Sequence, residues 1–268
     1  MTVSRETGRV VAVVNQKGGV GKSTTTVNLG ASLAVLGKRV LVVDLDPQGN
    51  TTTGLGIDKR QVGKCVYDVL LHRAAAGEVL FPTEIPGLEI IPATLNLAGA
   101  EIELVSALSR ETRLRSALDA LAPGYDYVLI DCPPSLGLLT INALTAANWV
   151  IIPVQAEYYA LEGLAQLTTV LGRVREALNP PLQIMGVLVT MVDARTNLSV
   201  DVIDEVSRFF PALVFRTRIP RNVRLSEAPS FGKPAILFDA KSRGAQAYLA
   251  LAKEVLGDGE ELHAEVGS

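Results

Sequence analysis

The residues of this chain that are best suited to chemistry form one short run near the N-terminus. The run reads Asn15-Gln16-Lys17-Gly18-Gly19-Val20-Gly21-Lys22-Ser23-Thr24. Its three glycines lack the Cβ that would keep backbone N–H groups away from a polyphosphate. Lys22 can reach the β- and γ-phosphates of a nucleotide, and the Ser23 hydroxyl can ligate Mg²⁺. The usual pattern has glycine at position 16, so Gln16 and the additional Lys17 mark a variant of the phosphate-binding loop.

Three aspartates at the ends of apolar runs could complete a nucleotide site. Asp44 and Asp46 are spaced so that both side chains share a face while the chain stays extended. Asp131 ends a second apolar run, 127–131, as the acid of a Walker B segment does. Any one of these acids alone is most simply a solvated or helix-capping residue. Together, beside a phosphate loop, the three favour a site for Mg²⁺ and a nucleoside triphosphate.

The elements around the loop support this interpretation. Residues 10–14 form an unbroken apolar run, which is typical of a buried parallel strand. Residues 24–36 carry the apolar spacing of a helix packed on a sheet, and Gly37 follows as a stop signal. The order strand, glycine loop, helix directs the free N–H groups and the positive dipole end of the helix at the phosphates.

Strand-like and helix-like stretches alternate along nearly the whole chain. This order predicts an α/β protein with a mostly parallel twisted sheet and helices on both faces. Together with the phosphate-binding loop, it indicates the three-layer P-loop NTPase fold. A nucleotide site in such a fold lies at the carboxyl ends of the strands. The predicted strands are 10–14, 40–44, 88–91, 127–131, 149–154, 183–190 and 213–215. The predicted helices are 24–36, 98–108, 111–121, 138–147, 160–178, 200–210 and 243–256.

Composition limits the class of protein. The 268 residues are 48% hydrophobic and 20% charged with a net charge of −3, which fits one domain over 1–268 with flexible ends at 1–8 and 258–268. No apolar stretch reaches the roughly 18 residues that a membrane span needs, and the first eight residues lack an apolar signal core. We therefore expect a cytoplasmic protein.

Cysteine and histidine are too scarce for several kinds of site. Cys65 and Cys132 are too far apart for a disulfide framework or a C-x-x-C metal site. His72 and His263 are the only histidines, which are too few to favour a histidine-based nucleophilic mechanism or a zinc site.

Basic charge is concentrated in one segment. Arg216, Arg218, Arg221 and Arg224 fall within nine residues that contain no acid. Such a patch can bind phosphates of nucleic acid without sequence preference. Charge alone leaves open the simpler interpretation, in which these arginines are solvated or pair with acids such as Glu227.

Several stretches of the chain together carry a family resemblance. Three of them are the loop at 17–24, Asp-Leu-Asp-Pro-Gln-Gly-Asn at 44–50 and Asp-Cys-Pro-Pro-Ser at 131–135. Three more are Pro-Val-Gln-Ala-Glu-Tyr-Tyr-Ala-Leu-Glu-Gly at 153–163, Asp-Ala-Arg-Thr-Asn at 193–197 and Ile-Pro-Arg-Asn-Val-Arg-Leu-Ser-Glu-Ala-Pro at 219–229. The first three resemble the deviant-Walker-A ATPases, and the last three narrow the resemblance to the ParA (Soj) partition ATPases. The likeness covers roughly residues 9–256.

The resemblance implies an ATPase that sandwiches ATP and Mg²⁺ between two subunits. Lys17 would then reach the phosphates of the other subunit, and Asp46 would orient the attacking water. Ser23 would ligate Mg²⁺, while Asp44 and Asp131 would support the metal from further out. The implied nucleotide-binding residues are Lys17, Gly18, Gly19, Val20, Gly21, Lys22, Ser23 and Thr24, with Pro220 and Asn222 bordering the adenine.

The resemblance also implies partners and a location. The ATP-bound homodimer would bind double-stranded DNA non-specifically through Arg195, Arg218, Arg221 and Arg224. A ParB-type centromere-binding protein would stimulate hydrolysis and release the ATPase from the nucleoid. The implied cofactors are ATP and Mg²⁺, and no membrane is involved.

Alternatives within the superfamily remain open. A MinD-like membrane ATPase needs a basic amphipathic C-terminal helix, whereas this chain carries five acids and no Lys or Arg after Lys253. An iron–sulfur carrier needs ligating cysteines, and a tyrosine kinase of this group needs a C-terminal tyrosine cluster. A non-enzymatic scaffold would lack Lys17, Lys22, Asp46 or Asp131, which are all present. A related ATPase that positions a non-DNA cargo would share all of these motifs.

Overall fold

The computed structural model describes residues 8–157, 160–193 and 197–265 and consists of a seven-stranded sheet with helices on both faces. The strand order is β3-β4-β2-β5-β1-β6-β7. The strands are β1 Arg9–Val13, β2 Val40–Asp44, β3 Phe81–Pro82, β4 Leu88–Ile91, β5 Tyr127–Asp131, β6 Trp149–Gln155 and β7 Gln183–Thr190. All neighbours pair in parallel except β3, which runs antiparallel to β4 at the edge.

Eleven helices occur in the described ranges, in addition to short 3₁₀ turns. They are α1 Lys22–Val35, α2 Asn50–Gly54, α3 Val66–Leu70, α4 Leu97–Leu104, α5 Arg113–Leu118, α6 Leu138–Ala146, α7 Ala160–Ala177, α8 Asn197–Phe209, α9 Val223–Glu227, α10 Ala235–Phe238 and α11 Arg243–Glu265. No helix among the residues described is both long and apolar enough to cross a bilayer.

The core has two layers because successive side chains of each buried strand point to opposite faces. In β2, Leu41 and Val43 pack with the helices α3 to α8, whereas Val40 and Val42 pack with α1 and α11. The two core layers therefore fix the sheet between them. Every parallel strand then delivers its carboxyl end to the same edge, where the candidate site lies.

The predicted parallel strands agree closely with the structure. Four of them, 40–44, 88–91, 127–131 and 183–190, have the observed bounds. The strand predicted at 10–14 is shifted by one residue at both ends, and the strand predicted at 149–154 is one residue longer at its C-terminal end. Helix α11 continues to Glu265, past the predicted end at residue 256. The sequence did not predict β3 or the helices α2, α3, α9 and α10, which are each five residues or fewer and too short to show a period.

One predicted strand, 213–215, is wrong. Only an isolated bridge between Val187 and Val214 forms there. Directly after it, the backbone N–H groups of Arg216 and Thr217 donate to the carboxylate of Glu254, at 2.6 and 2.9 Å. Those donors are unavailable for a sheet ladder, so the pairing with β7 is interrupted after Phe215 and resumes only where the Ile219 N–H donates to the Val189 carbonyl at 3.0 Å.

Candidate nucleotide site

The phosphate loop connects β1 to α1, as the sequence predicts. Gly19 and Gly21 have φ of 76° and 93°, a left-handed conformation that a side chain would strain. Gly21 precedes the first residue of α1, so the free N–H groups of the first helical turn face the loop. The loop therefore has the backbone geometry of an anion site at a helix N-terminus.

Lys22 is buried inside the loop, with 6% of its surface exposed. Its ammonium group donates to the Lys17 carbonyl oxygen at 2.9 Å. Burial lowers the pKa of Lys22, while the nearby carboxylates of Asp131 and Asp46 act in the opposite direction. A buried cation with this environment is suited to neutralising phosphate charge.

Asp44 is fully buried and organises the segment that follows β2. One carboxylate oxygen accepts hydrogen bonds from the N–H and the hydroxyl of Thr52, both at 2.7 Å, and the other accepts from the Asp46 N–H at 3.2 Å. Burial raises the pKa of Asp44 to about 6, despite the lowering effect of these hydrogen bonds. Its bonds thus fold the loop that carries Asp46.

Asp46 itself is available for chemistry. It is 7% exposed, and one of its carboxylate oxygens accepts the Gln48 N–H at 2.9 Å. This local bond orients the carboxylate, and the second oxygen has no hydrogen bond in the part of the chain that is described.

Asp131 ends β5 beside Asp44, and the two are partners in the β2–β5 register. Its Oδ2 accepts the Thr51 hydroxyl at 2.7 Å, whereas Oδ1 is buried with no hydrogen-bond partner among the described residues. Burial first, and then the charge of Asp44, raise the pKa of Asp131 to about 7, while Ser23 and Thr51 lower it.

These residues fit a magnesium ion held mainly by a nucleotide. An orphaned buried carboxylate oxygen is an acceptor for a metal-bound water, and Ser23 lies beside the same carboxylate. In the described ranges, no group of three or more His, Cys, Asp or Glu could ligate a metal directly. Mg²⁺ commonly keeps several waters and binds through few protein ligands plus substrate phosphates.

Lys17 behaves differently from Lys22. Its side chain is 40% exposed and forms an ion pair with Glu157 of the same chain, at 3.3 Å. The other oxygen of Glu157 accepts from the side-chain amide of Gln155 at 2.5 Å. The Lys17 backbone N–H donates to the Asn15 side chain at 3.0 Å, so the loop segment is fixed while the ammonium group stays near solvent.

The predicted adenine-border residues lie next to this edge of the sheet. Val192, two residues after β7, forms a bridge with Pro220 and donates to the Ile219 carbonyl at 3.0 Å. Asn222 is the N-cap residue of α9, and its side chain accepts the Arg224 N–H at 3.0 Å. The structure thus brings 219–222 beside the end of β7.

The predicted DNA-binding arginines differ in their surroundings. Arg221 is exposed, and it has no acidic partner among the residues described. Arg224 pairs with Glu227 at 2.8 Å and with Asp239 at 3.4 Å. Arg218 is half-buried, and burial lowers its pKa. Arg195 lies outside the described residues.

Four contacting residues did not emerge from the sequence, namely Thr51, Thr52, Glu157 and Thr190. The two threonines stand immediately after the 44–50 motif, and Glu157 lies inside the quoted 153–163 stretch, so a local signal existed for these three. Thr190 donates to the Val20 carbonyl from 170 residues away, and no local pattern indicates it.

Comparisons with known proteins agree with this geometry. A family model described as an AAA domain matches residues 8–184. The Soj sporulation initiation inhibitor of Bacillus subtilis is 62% identical over 94% of this chain and 100% of its own length. The chromosome partitioning protein ParA of Myxococcus xanthus is 55% identical over 93% of this chain and 88% of its own.

A solved structure supports the fold. It is of a protein from Mycobacterium smegmatis named cobyrinic acid a,c-diamide synthase, with a bound ATP analogue and magnesium. It is 41% identical, has a TM-score of 0.83, and the match covers 93% of this chain and 94% of that one. The matches to Soj and ParA cover most of both chains and are more than half identical. This chain therefore belongs to the ParA/Soj family of chromosome-partitioning ATPases.

Proposed function

We propose that the chain is an ATP- and Mg²⁺-dependent DNA-partition ATPase that works in the cytoplasm on the nucleoid. The observation that carries the hydrolytic part is the convergence of Lys22, Asp46 and Asp131 at one edge of the sheet, within electrostatic reach of each other. The partition role is supported by the family, and the DNA-binding role by the exposed Arg221.

The residues divide the work of phosphoryl transfer to water. The loop N–H groups and Lys22 hold the β- and γ-phosphates, and Thr24 contacts the α-phosphate. Ser23 would hold Mg²⁺ through its hydroxyl, and Asp131 would support the metal from further out with its orphaned Oδ1. Bound Mg²⁺ supplies neutralisation of the phosphate oxygens. Asp46 orients the attacking water with the oxygen that Gln48 leaves unused.

Lys17 acts across the interface of an ATP-bound sandwich homodimer. Its ammonium group is near solvent, and Glu157 is its one ion-pair partner among the residues described, so it can leave this ion pair for the phosphates of a second subunit. An exposed pair of this kind contributes only ~0–1 kcal/mol, whereas a phosphate cluster offers several negative charges. Lys17 then stabilises charge developing in the transition state, as an arginine finger does.

DNA binding follows from pairing two arginine segments. Arg216 and Arg221 are exposed members of the segment, Arg218 and Arg224 add to them, and Arg195 is a further candidate by family likeness. With about two or three phosphate contacts per subunit, a dimer would show a log–log salt slope near −4 to −5, about twice that of a monomer. ATP controls DNA affinity by controlling assembly. A ParB-type partner would stimulate hydrolysis and release the dimer.

A co-sedimentation series tests the proposal. The protein is mixed with double-stranded DNA and, in parallel, with anionic liposomes, without nucleotide and with ADP, ATP or a slowly hydrolysed analogue. Retention on DNA with ATP and the analogue alone supports partition. Retention on liposomes instead would favour a MinD-like membrane ATPase, and retention on neither would favour a different cargo.

A further inference from the structure

Thr190 contacts the phosphate loop from the edge strand β7, which β6 separates from β1. It is the last residue of β7 and only 2% exposed. Its hydroxyl donates to the Val20 carbonyl oxygen at 2.8 Å, and the Val154 carbonyl is a more distant acceptor at 3.3 Å. The Thr190 methyl group would lie 3.7 Å from a Cβ at Gly21. The side chain therefore both bonds and packs against the loop.

Thr190 bonds to the Val20–Gly21 peptide group, whose orientation is not fixed by regular secondary structure. Val20 stands between Gly19 and Gly21, which both have positive φ, so the backbone here follows neither a strand nor a helix. A trans peptide group is planar, and its C=O and N–H point in opposite directions. Fixing the Val20 carbonyl toward β7 therefore directs the Gly21 N–H away from β7, as a donor on the opposite side of the loop.

We propose that Thr190 is a positioning residue for nucleotide binding, which fixes the Val20–Gly21 peptide so that the Gly21 N–H is presented to phosphate. This inference deepens the proposed function and rests on it.

The residues that follow Thr190 connect the same strand end to a second segment. Met191 has a φ of 53°, and Val192 then exchanges backbone hydrogen bonds with Ile219 and Arg221. One strand end thus holds both the phosphate loop and the segment that carries Arg221.

The test compares Thr190→Val, which removes the hydroxyl at similar volume, with Thr190→Ser, which retains it. Thr145→Val is the matched control, because Thr145 is fully buried and its hydroxyl has no hydrogen-bond partner among the described residues. ADP and ATP affinities are measured by titration, together with KM and kcat for ATP and the melting temperature. ADP is included because its titration does not require hydrolysis.

Thr190→Val should weaken both nucleotides about tenfold, since a buried carbonyl loses its donor and the peptide is free to reorient. KM should rise by a similar factor while kcat stays within about twofold, because Lys17 and Asp46 are untouched. Thr190→Ser should bind within about threefold of the parent protein, and Thr145→Val should match the parent.

Three results would overturn the inference. They are unchanged nucleotide affinity in a folded Thr190→Val, a serine variant as weak as the valine variant, or equal weakening in Thr145→Val. If Thr190→Val does not fold, a serine variant with parental stability but tenfold weaker ADP binding would also refute the role of the hydroxyl. A parent protein that binds ADP but never hydrolyses ATP would contradict the proposed function alone, and the ADP arm would still decide the role of Thr190.

Discussion

The phosphate edge of the sheet and the arginine segment at 216–224 both carry concentrated charge, but they hold it differently. At the phosphate edge Lys22, Asp44, Asp46 and Asp131 are all buried, and each is oriented by a hydrogen bond to a neighbouring group. In the arginine segment Arg216, Arg221 and Arg224 lie at the surface and Arg218 is half-buried. Arg224 is already paired with two acids, Glu227 and Asp239. Buried charges act through fixed geometry at short range, whereas exposed charges act collectively and are screened by salt. Substitutions at the first region should therefore have large effects and substitutions at the second small ones.

Lys17→Ala should have the largest effect, although Lys17 is the more exposed of the two loop lysines. Transition-state stabilisation by a group donated in trans contributes about 10³–10⁵ in rate, so turnover should fall by at least about 10³. ATP binding should persist because Lys22 remains. The readouts are nucleotide titration, gel filtration with ATP and phosphate release. Normal turnover in a well-folded Lys17→Ala would show that Lys17 has no catalytic role and that the contrast between regions follows burial alone.

Asp46→Ala should abolish most hydrolysis and keep the ATP-bound dimer. A positioned group that orients water contributes typically 10²–10⁴-fold. The dimer should persist because the Asp44 bonds to Thr52 remain and the phosphate contacts are unchanged. Gel filtration with ATP, together with single-turnover hydrolysis, measures the two effects separately. A variant found only as monomer would mean that Asp46 serves assembly rather than water positioning.

The raised pKa values of Asp44 and Asp131, about 6 and 7, predict how stability depends on pH. Both groups titrate near 3.8 when unfolded, so between about pH 4 and 7 the folded chain binds more protons than the unfolded chain. Their contribution to stability must therefore fall as pH rises through this window.

Thermal unfolding of nucleotide-free, magnesium-free protein at pH 5.5 and 7.5 checks this sign. The parent protein should lose more stability toward pH 7.5 than Asp131→Asn, whose amide does not ionise. Mg²⁺ with a nucleotide should reverse the trend, because it favours the ionised carboxylates. An identical pH dependence in the parent and in Asp131→Asn would exclude these carboxyls as its source.

Arg221→Ala should have a smaller effect, confined to DNA binding. Removing one phosphate contact per subunit should lower the magnitude of the salt slope by about 0.9 per contact, or roughly 1.8 for a dimer. Arg224→Ala is the matched comparison and should change the slope less, because Glu227 and Asp239 already neutralise that guanidinium. DNA titration across a salt series with the ATP analogue measures both. Equal salt slopes in Arg221→Ala and Arg224→Ala would show that the acidic partners of Arg224 do not weaken its contribution to DNA binding.

Glu157→Gln should have the smallest effect. Losing an exposed ion pair worth ~0.2–1 kcal/mol releases Lys17 and should lower the ATP concentration needed for dimerisation by up to about fivefold. Light scattering against ATP concentration provides the measurement. A higher ATP requirement would show instead that Glu157 orients Lys17 for its task.

The sequence indicated most of the fold and the chemical identity of the site, and it failed where contacts cross long distances. The strands β2, β4, β5 and β7 were predicted with their observed bounds, since short stretches rich in apolar residues are typical of strands. The predicted strand 213–215 was wrong because Glu254, far along the chain, takes the N–H groups that would have continued it. The roles of individual site residues and of Arg195, Arg218, Arg221 and Arg224 stay predictions.

The sequence by itself determined the glycine loop, its two lysines and the three aspartates at strand ends, because residue type and local spacing are sufficient to define them. Only the tertiary structure decided which groups orient them. Thr51 and Thr52 fix Asp131 and Asp44, Glu157 holds Lys17, and Thr190 holds the loop. The physical reason is that hydrogen bonds and ion pairs between distant residues depend on where the sheet brings strand ends together. A periodic pattern along the chain carries no information about which distant residues the sheet places in contact.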